Sequence, residues 1–195
     1  MLFRSINHGG HPILAWMAGH AVRDEHADGA IKPSKKKSAE KIDGIVALIT
    51  ALERAMQGLK ATTVVHICYG YGIEANIKWK ESLGNQWRQY EQIFPWINQS
   101  SVKQVSLEFA GSRVPHDVLR LLPDKELLVG AIEVLPGKLE TPAEVAHNIL
   151  EATRHVEKAR LLPCTNCGMA PLSAELARGK LRALGAGAAI ARSRL

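Results

Sequence analysis

The chain has 195 residues, 46% of them hydrophobic and 23% charged, which suffices for one core with or without an appendage and excludes a disordered or fibrous chain. The formal net charge of +6 is spread evenly, nine Lys/Arg against six Asp/Glu in residues 1–60 and sixteen against thirteen beyond them, so no strongly basic domain stands out. No apolar run reaches the ~18 residues of a membrane span, so no membrane partner is expected. The opening Met1-Leu2-Phe3-Arg4 lacks the apolar core of a signal peptide, and Cys68, Cys164 and Cys167 are too few for a disulfide framework. A reducing, cytoplasmic setting follows as the expectation.

In chain order, a short apolar stretch from Pro12 to Met17 comes first, and residues 24–41 are polar and interrupted. Within them Lys32 and Lys35, Lys36 and Lys37 form a basic cluster, suited to a solvated loop or to phosphate contact. Ile42, Ile45, Ile49, Leu52 and Met56 then recur at helical spacing, which predicts one amphipathic helix capped by Ser38 and ending near Gly58. Residues 1–60 thus read as an appendage rather than a self-sufficient domain.

From residue 61 to 195 the pattern changes. Four short apolar runs, TVVHICYG, KQVSLEFA, LLVGAIEV and RLLPCTNCG, alternate with helical segments. The clearest helix starts at Thr141-Pro142-Ala143-Glu144, where a hydroxyl cap, a proline at the first helical position and a carboxylate at the third coincide. Val145, Ile149, Ala152 and Val156 form its apolar stripe, and a last helix runs from about Ser173 to Arg192. Alternating strands and helices predict an α/β fold with a parallel sheet. Four βα units are half of an eight-stranded barrel, with an open flavodoxin-like sheet as the alternative.

His66 and Cys68 stand two apart on the first of these strands, so their side chains leave the same face and can share a metal or sit together in a core. Glu108 lies in an apolar run between Leu107 and Phe109, where a carboxylate is costly unless paired or metal-bound. An ion pair with Arg113 or a neighbouring helix is the plainer account. Cys164 and Cys167 end the fourth run as CTNC, followed by Gly168, late in the chain and away from a redox pair's usual place before a helix. All these positions fall where parallel strands finish, the edge on which α/β sites are built. Cysteine, histidine and glutamate form a chemically sensible zinc set, and zinc held by two thiolates suits activation of a substrate thiol.

The stretches VHICYG, VSLEFAGSR, LLVGAIEV, ETPAEVA and LLPCTNCGM resemble, in order, the catalytic barrel of cobalamin-independent methionine synthases. The resemblance covers about residues 62–195 and implies the last four βα units of a barrel with zinc at the top of its strands. It implies His66, Cys68, Glu108 and Cys167 as the ligands, with Cys164 nearby but unbound. The implied partners are homocysteine and a methyl donor, a folate or a corrinoid. Glu133 falls where relatives carry an aspartate of the substrate pocket, and Leu135 falls where full-length enzymes carry a histidine. The family barrel is about twice as long, so the resemblance also implies a partner half-barrel or self-association. SINHGGHPILAWMAGHAV and GAIKPSKKKSAEKIDGIVALITAL resemble instead the C-terminal end of a phage terminase large subunit. There the last nuclease carboxylate falls on Asp43, and DNA is the implied partner. Two-metal nuclease chemistry needs several carboxylates, so Asp43 alone does not supply it.

Overall fold

β-branched residues fit a pleated, half-buried surface, and each of the four apolar runs contains a strand. The computed structural model describes residues 23–25, 31–33, 58, 61–71 and 74–195. Their elements are β1 (Arg23–Glu25), β2 (Ile31–Pro33), β3 (Val64–Ile67), α1 (Glu74–Ser82), α2 (Tyr90–Gln99), β4 (Gln104–Leu107), β5 (Glu126–Ile132), α3 (Pro142–Thr153), β6 (Leu161–Thr165) and α4 (Ala174–Arg192), with 3-10 turns at His116–Leu121 and Lys158–Arg160. The expected helix over Ile42–Met56 with its Ser38 cap, the lysine cluster at 35–37, the Pro12–Met17 stretch and Asp43 lie outside the described residues.

Strands β1 and β2 pair antiparallel, Arg23 opposite Pro33 and Glu25 opposite Ile31. Residues 24–41 had shown only polarity and interruption. Three-residue strands are too short for an alternating pattern to stand out, although Asp28-Gly29 between them is a dipeptide favoured in turns.

The main sheet is parallel throughout, in the order β3-β4-β5-β6. Strand order follows chain order without reversal, as in a barrel. The flavodoxin-like alternative would require a switch point where the order turns back. With its flanking helices the sheet is a partial (βα) barrel. One face of the sheet carries Val105, Leu107, Leu127 and Val129, all buried, against Tyr90 and Phe94 of α2 and Leu119 and Leu122 beyond β4. Burying a side chain such as Phe94, which is 0% exposed, contributes about 1.5–3 kcal/mol. The opposite face carries His66, Ser106 and Cys164, which are the chemical groups.

Helix α3 forms as its sequence dictates. The Thr141 hydroxyl accepts from Glu144 N and the Glu144 carboxylate accepts from Thr141 N, completing a capping box with Pro142 at the first turn. Val145, Ile149 and Ala152 of the helix are buried, as is Val156 just beyond its end; Val145 and Ile149 pack with Ala183 and Ala191 of α4, whereas Ala152 and Val156 join the cluster around β4 and β5. At Gly187 the two helices come so close that a Cβ would overlap Val145. Helix α4 begins one residue after Ser173, whose hydroxyl accepts from Leu176 N. Among the described residues no helix is long and apolar enough to cross a membrane.

Candidate metal centre

His66 leaves β3 on the inner face opposite Ser106 of β4, its partner in register. The Ser106 hydroxyl and His66 Nδ1 lie 2.9 Å apart, which leaves Nε2 as the free ring nitrogen. That Nε2 is buried and has no hydrogen-bond partner. Cys164 of β6 lies 3.9 Å from the same hydroxyl, so Ser106 is held between thiol and imidazole. A buried nitrogen without a partner is costly in a finished site, and one oriented from behind by a hydroxyl is how a metal-ligating histidine is held.

Cys68 follows β3 and Cys167 follows β6. Their sulfurs lie 3.7 Å apart, well beyond covalent bonding, and the Cys68 thiol donates to Cys167. Ligand atoms of His66, Cys68 and Cys167 all lie within 4.8 Å of one another. Two thiolates bound tetrahedrally at ~2.3 Å stand about 3.8 Å apart, so this sulfur pair has the spacing a zinc ion requires. The donated hydrogen bond from Cys68, and next the adjoining His66 ring, hold the Cys167 thiol down at about 4. Giving that hydrogen bond, together with burial, pushes the Cys68 thiol up. Burial also raises Cys164, to about 11. The shared hydrogen bond therefore favours the thiolate on Cys167 over Cys68. Residues and spacing together fit a soft divalent ion.

Glu108 is 2% exposed and stands apart from the three-residue cluster. Its carboxylate accepts from Tyr69 N (2.8 Å) and Tyr71 Oη (3.0 Å), and Lys80 Nζ of α1 lies 3.5 Å away. Burial raises its pKa, and Lys80 chiefly opposes the rise. The ion pair is thus with the neighbouring helix, whereas the Arg113 guanidinium donates to Gly84 O. Lys80 also sits over the Tyr71 ring at 4.5 Å. Glu133 follows β5 and lines a cleft of about 400 Å³ with Gly111, Lys138, Glu144 and His147, a cleft to which none of the three clustered residues contributes. Gly111 has a φ of 66°, and a Cβ there would collide with the Glu133 carboxylate.

Ser106, Tyr71, Lys80 and Asn166 were missed at the level of sequence. Ser106 was findable, since it stands two residues before Glu108 and therefore on the same face of its strand. The other three are brought in by turns and by a helix, whose placement no periodicity encodes.

A parallel βα sheet with a His/Cys/Cys cluster at its strand ends is a partial barrel with a candidate metal site, and three quarters of the chain is homologous to B12-independent methionine synthases. It is 51% identical to a B12-independent methionine synthase from Shewanella sp. W3-18-1, solved in complex with selenomethionine. The match has a TM-score of 0.72 and covers 75% of this chain and 43% of that one. Curated methionine synthases are similar too. That of Saccharolobus islandicus is 29% identical over 151 residues, 75% of this chain and 40% of the relative. That of Thermococcus kodakarensis is 27% identical over 154 residues, 78% of this chain and 40% of the relative. The chain therefore spans less than half the length of these relatives. Residues 3–58 match the family model of the terminase large subunit endonuclease domain.

Proposed function

We propose that residues 61–195 form a methionine-synthase-like unit that binds zinc through His66, Cys68 and Cys167, with Glu108 as fourth ligand, and serves methyl transfer to the thiol of homocysteine. The observation that carries this reading is the 3.7 Å sulfur pair beside an unpartnered, Ser106-oriented imidazole nitrogen. Similarity to methionine synthases, one of them solved with selenomethionine, supports the substrate class.

Zinc, when bound, would supply the positive charge that deprotonates a substrate thiol while two cysteine thiolates keep the sulfur nucleophilic. The chain's residues set the conditions. Ser106 fixes the His66 ring. The hydrogen bond from Cys68 favours the thiolate of Cys167, the form that binds a metal. Lys80, Tyr69 and Tyr71 oppose the rise that burial imposes on the Glu108 carboxyl. In the transfer a substrate sulfur attacks the methyl carbon, a C–S bond forms, and the bonding pair of the broken bond leaves with the donor, a folate or a corrinoid. Glu133, in its cleft, is assigned to the substrate pocket. The setting is the cytoplasm, where free thiols persist. A partner half-barrel, or a second copy, completes the pocket.

The deciding experiment is zinc per monomer on protein purified without chelator, with circular dichroism on the same sample. About one zinc on folded protein supports the reading. Folded protein without zinc overturns it and leaves an inert structural module.

A second reading concerns residues 1–60 as a separate unit, favoured by the terminase match over 3–58. It is a nuclease remnant retaining Asp43, and it binds DNA weakly and without cleavage. A gel shift that falls with salt, and no cutting with magnesium or manganese, is its expected signature.

A further inference from the structure

We propose that Asn166 is a positioning residue that ties the turn bearing Cys167, after β6, to the segment bearing Glu108, after β4, and so fixes where Cys167 stands. This rests on the metal-site reading above. Strands β4 and β6 are not neighbours, because β5 lies between them. Nothing in the sheet's own hydrogen bonding fixes one to the other.

Asn166 makes that connection. It is 0% exposed and directly precedes Cys167. Its Oδ1 accepts from Phe109 N (3.1 Å) and Ala110 N (3.2 Å), the two peptide groups that follow Glu108. Its Nδ2 donates to Ala110 O (2.6 Å) and Tyr71 Oη (2.8 Å). The Tyr71 hydroxyl in turn donates to Glu108 Oε1 at 3.0 Å. Two lone pairs and two N–H groups are all the amide has, and all four are used. Reversing the amide would set N–H against N–H at Phe109 and Ala110, so its orientation is fixed.

The side chain reaches β4 by passing over Gly130, the only glycine of β5. A Cβ there would overlap Asn166 Oδ1 and press on Leu107 O. The pairing of β5 with β6 also shifts here, from Gly130 opposite Cys164 to Ile132 opposite Thr165. Such an irregularity re-aims the side chains beyond it, and Asn166 N then donates to Ile132 O at 2.8 Å. The glycine, the shift and the fully paired amide are three features of sequence and backbone that converge on one bridge.

The test uses the full chain with zinc affinity measured by chelator competition, the thiolate-to-cobalt absorption of the cobalt-substituted protein, and the alkylation rate of Cys167 in metal-free protein. Asn166→Ala should weaken zinc binding by at least about tenfold, the range for groups that orient ligands, and should alter the cobalt band. Gly130→Ala should do the same although it removes no polar group. Asn166→Asp keeps the acceptor oxygen but sets a second oxygen against Ala110 O in place of an N–H, so its loss should be no smaller than that of alanine. Gly187→Ala strains the α3–α4 contact alone, so it should lower stability and leave zinc affinity and the cobalt band unchanged. If the Asn166 variants bind zinc like the unsubstituted chain, or lose stability while their zinc affinity stays unchanged as in Gly187→Ala, the proposal is overturned. If the unsubstituted chain binds no zinc, the metal-site reading fails by itself and alkylation decides. A changed Cys167 rate in Asn166→Ala then supports the bridge, and an unchanged rate rejects it.

Discussion

Lys180 of α4 donates to Glu140 Oε2 across 2.7 Å, with the two side chains 0% and 2% exposed. The other oxygen, Oε1, accepts from Glu133 N at 2.9 Å. A charge on the last helix is thereby tied to the segment between β5 and α3, and through it to the backbone of a candidate substrate residue. Removing one member of a buried pair strands the other's charge and typically costs about 3–5 kcal/mol. Lys180→Ala should lose stability of that order in urea denaturation. Lys180→Met with Glu140→Leu should recover part of it but leave Glu133 N without its acceptor. Equal loss in the single and double variants would refute the charge argument.

Replacing Cys167 by serine should remove most of the bound zinc, and replacing Cys164 by serine should leave most of it. Cys164 meets Ser106 and lies outside the three-residue cluster. Metal content of the two purified variants, compared with circular dichroism, checks this, and equal retention would contradict the assignment.

Ser106→Ala should free the His66 ring without removing a ligand. A loss of about 10–100-fold in zinc affinity with unchanged stoichiometry at saturating metal is expected. Chelator competition gives the number. An unchanged affinity would mean that β3 alone orients the imidazole.

The pH dependence follows from the lowered pKa of Cys167, whose thiolate persists as pH falls until about 4. Metal-free protein should therefore alkylate at Cys167 at pH 5–6, where an ordinary thiol with a pKa near ~8.5 is almost wholly protonated. The rate will be modest, because a low-pKa thiolate is a weaker nucleophile. Cys164, raised by burial to about 11, should be alkylated last. Mass spectrometry of the modified peptides checks the order.

Thr141→Ala removes the hydroxyl half of the α3 capping box and should cost about 0.5–2 kcal/mol. The expected sign is a lower urea midpoint with an unchanged slope.

The α3 capping box and the four strands were legible because their signals are local: a hydroxyl, a proline and a carboxylate in four residues, or a β-branched run stopped by glycine. His66 and Cys68 were legible as a pair from period-two geometry alone. Cys167 was separable from Cys164 only through family resemblance, since both sit at the end of the same strand. The surroundings of Glu108 were not legible. The cost of burying a carboxylate implied a partner, but Lys80 reaches it from a helix whose packing no pattern in the chain encodes. Asn166 in the sequence looks like a turn residue; its four hydrogen bonds depend on β4, β5 and the Tyr71 turn meeting around it.

The contact of Cys68 with Cys167 spans 99 positions of the chain and joins the two edge strands of the sheet. An ion gripping both sulfurs would act as a clasp on a loop of that length. By the reasoning used for covalent cross-links, closing so long a loop removes about 4–5 kcal/mol of disorder from the unfolded chain. It would also come late during synthesis, because the second sulfur leaves the ribosome only after β3, β4 and β5 have done so. Metal capture would then record that the sheet has been assembled to its last strand, and starvation for the ion would register first as a failure to finish folding.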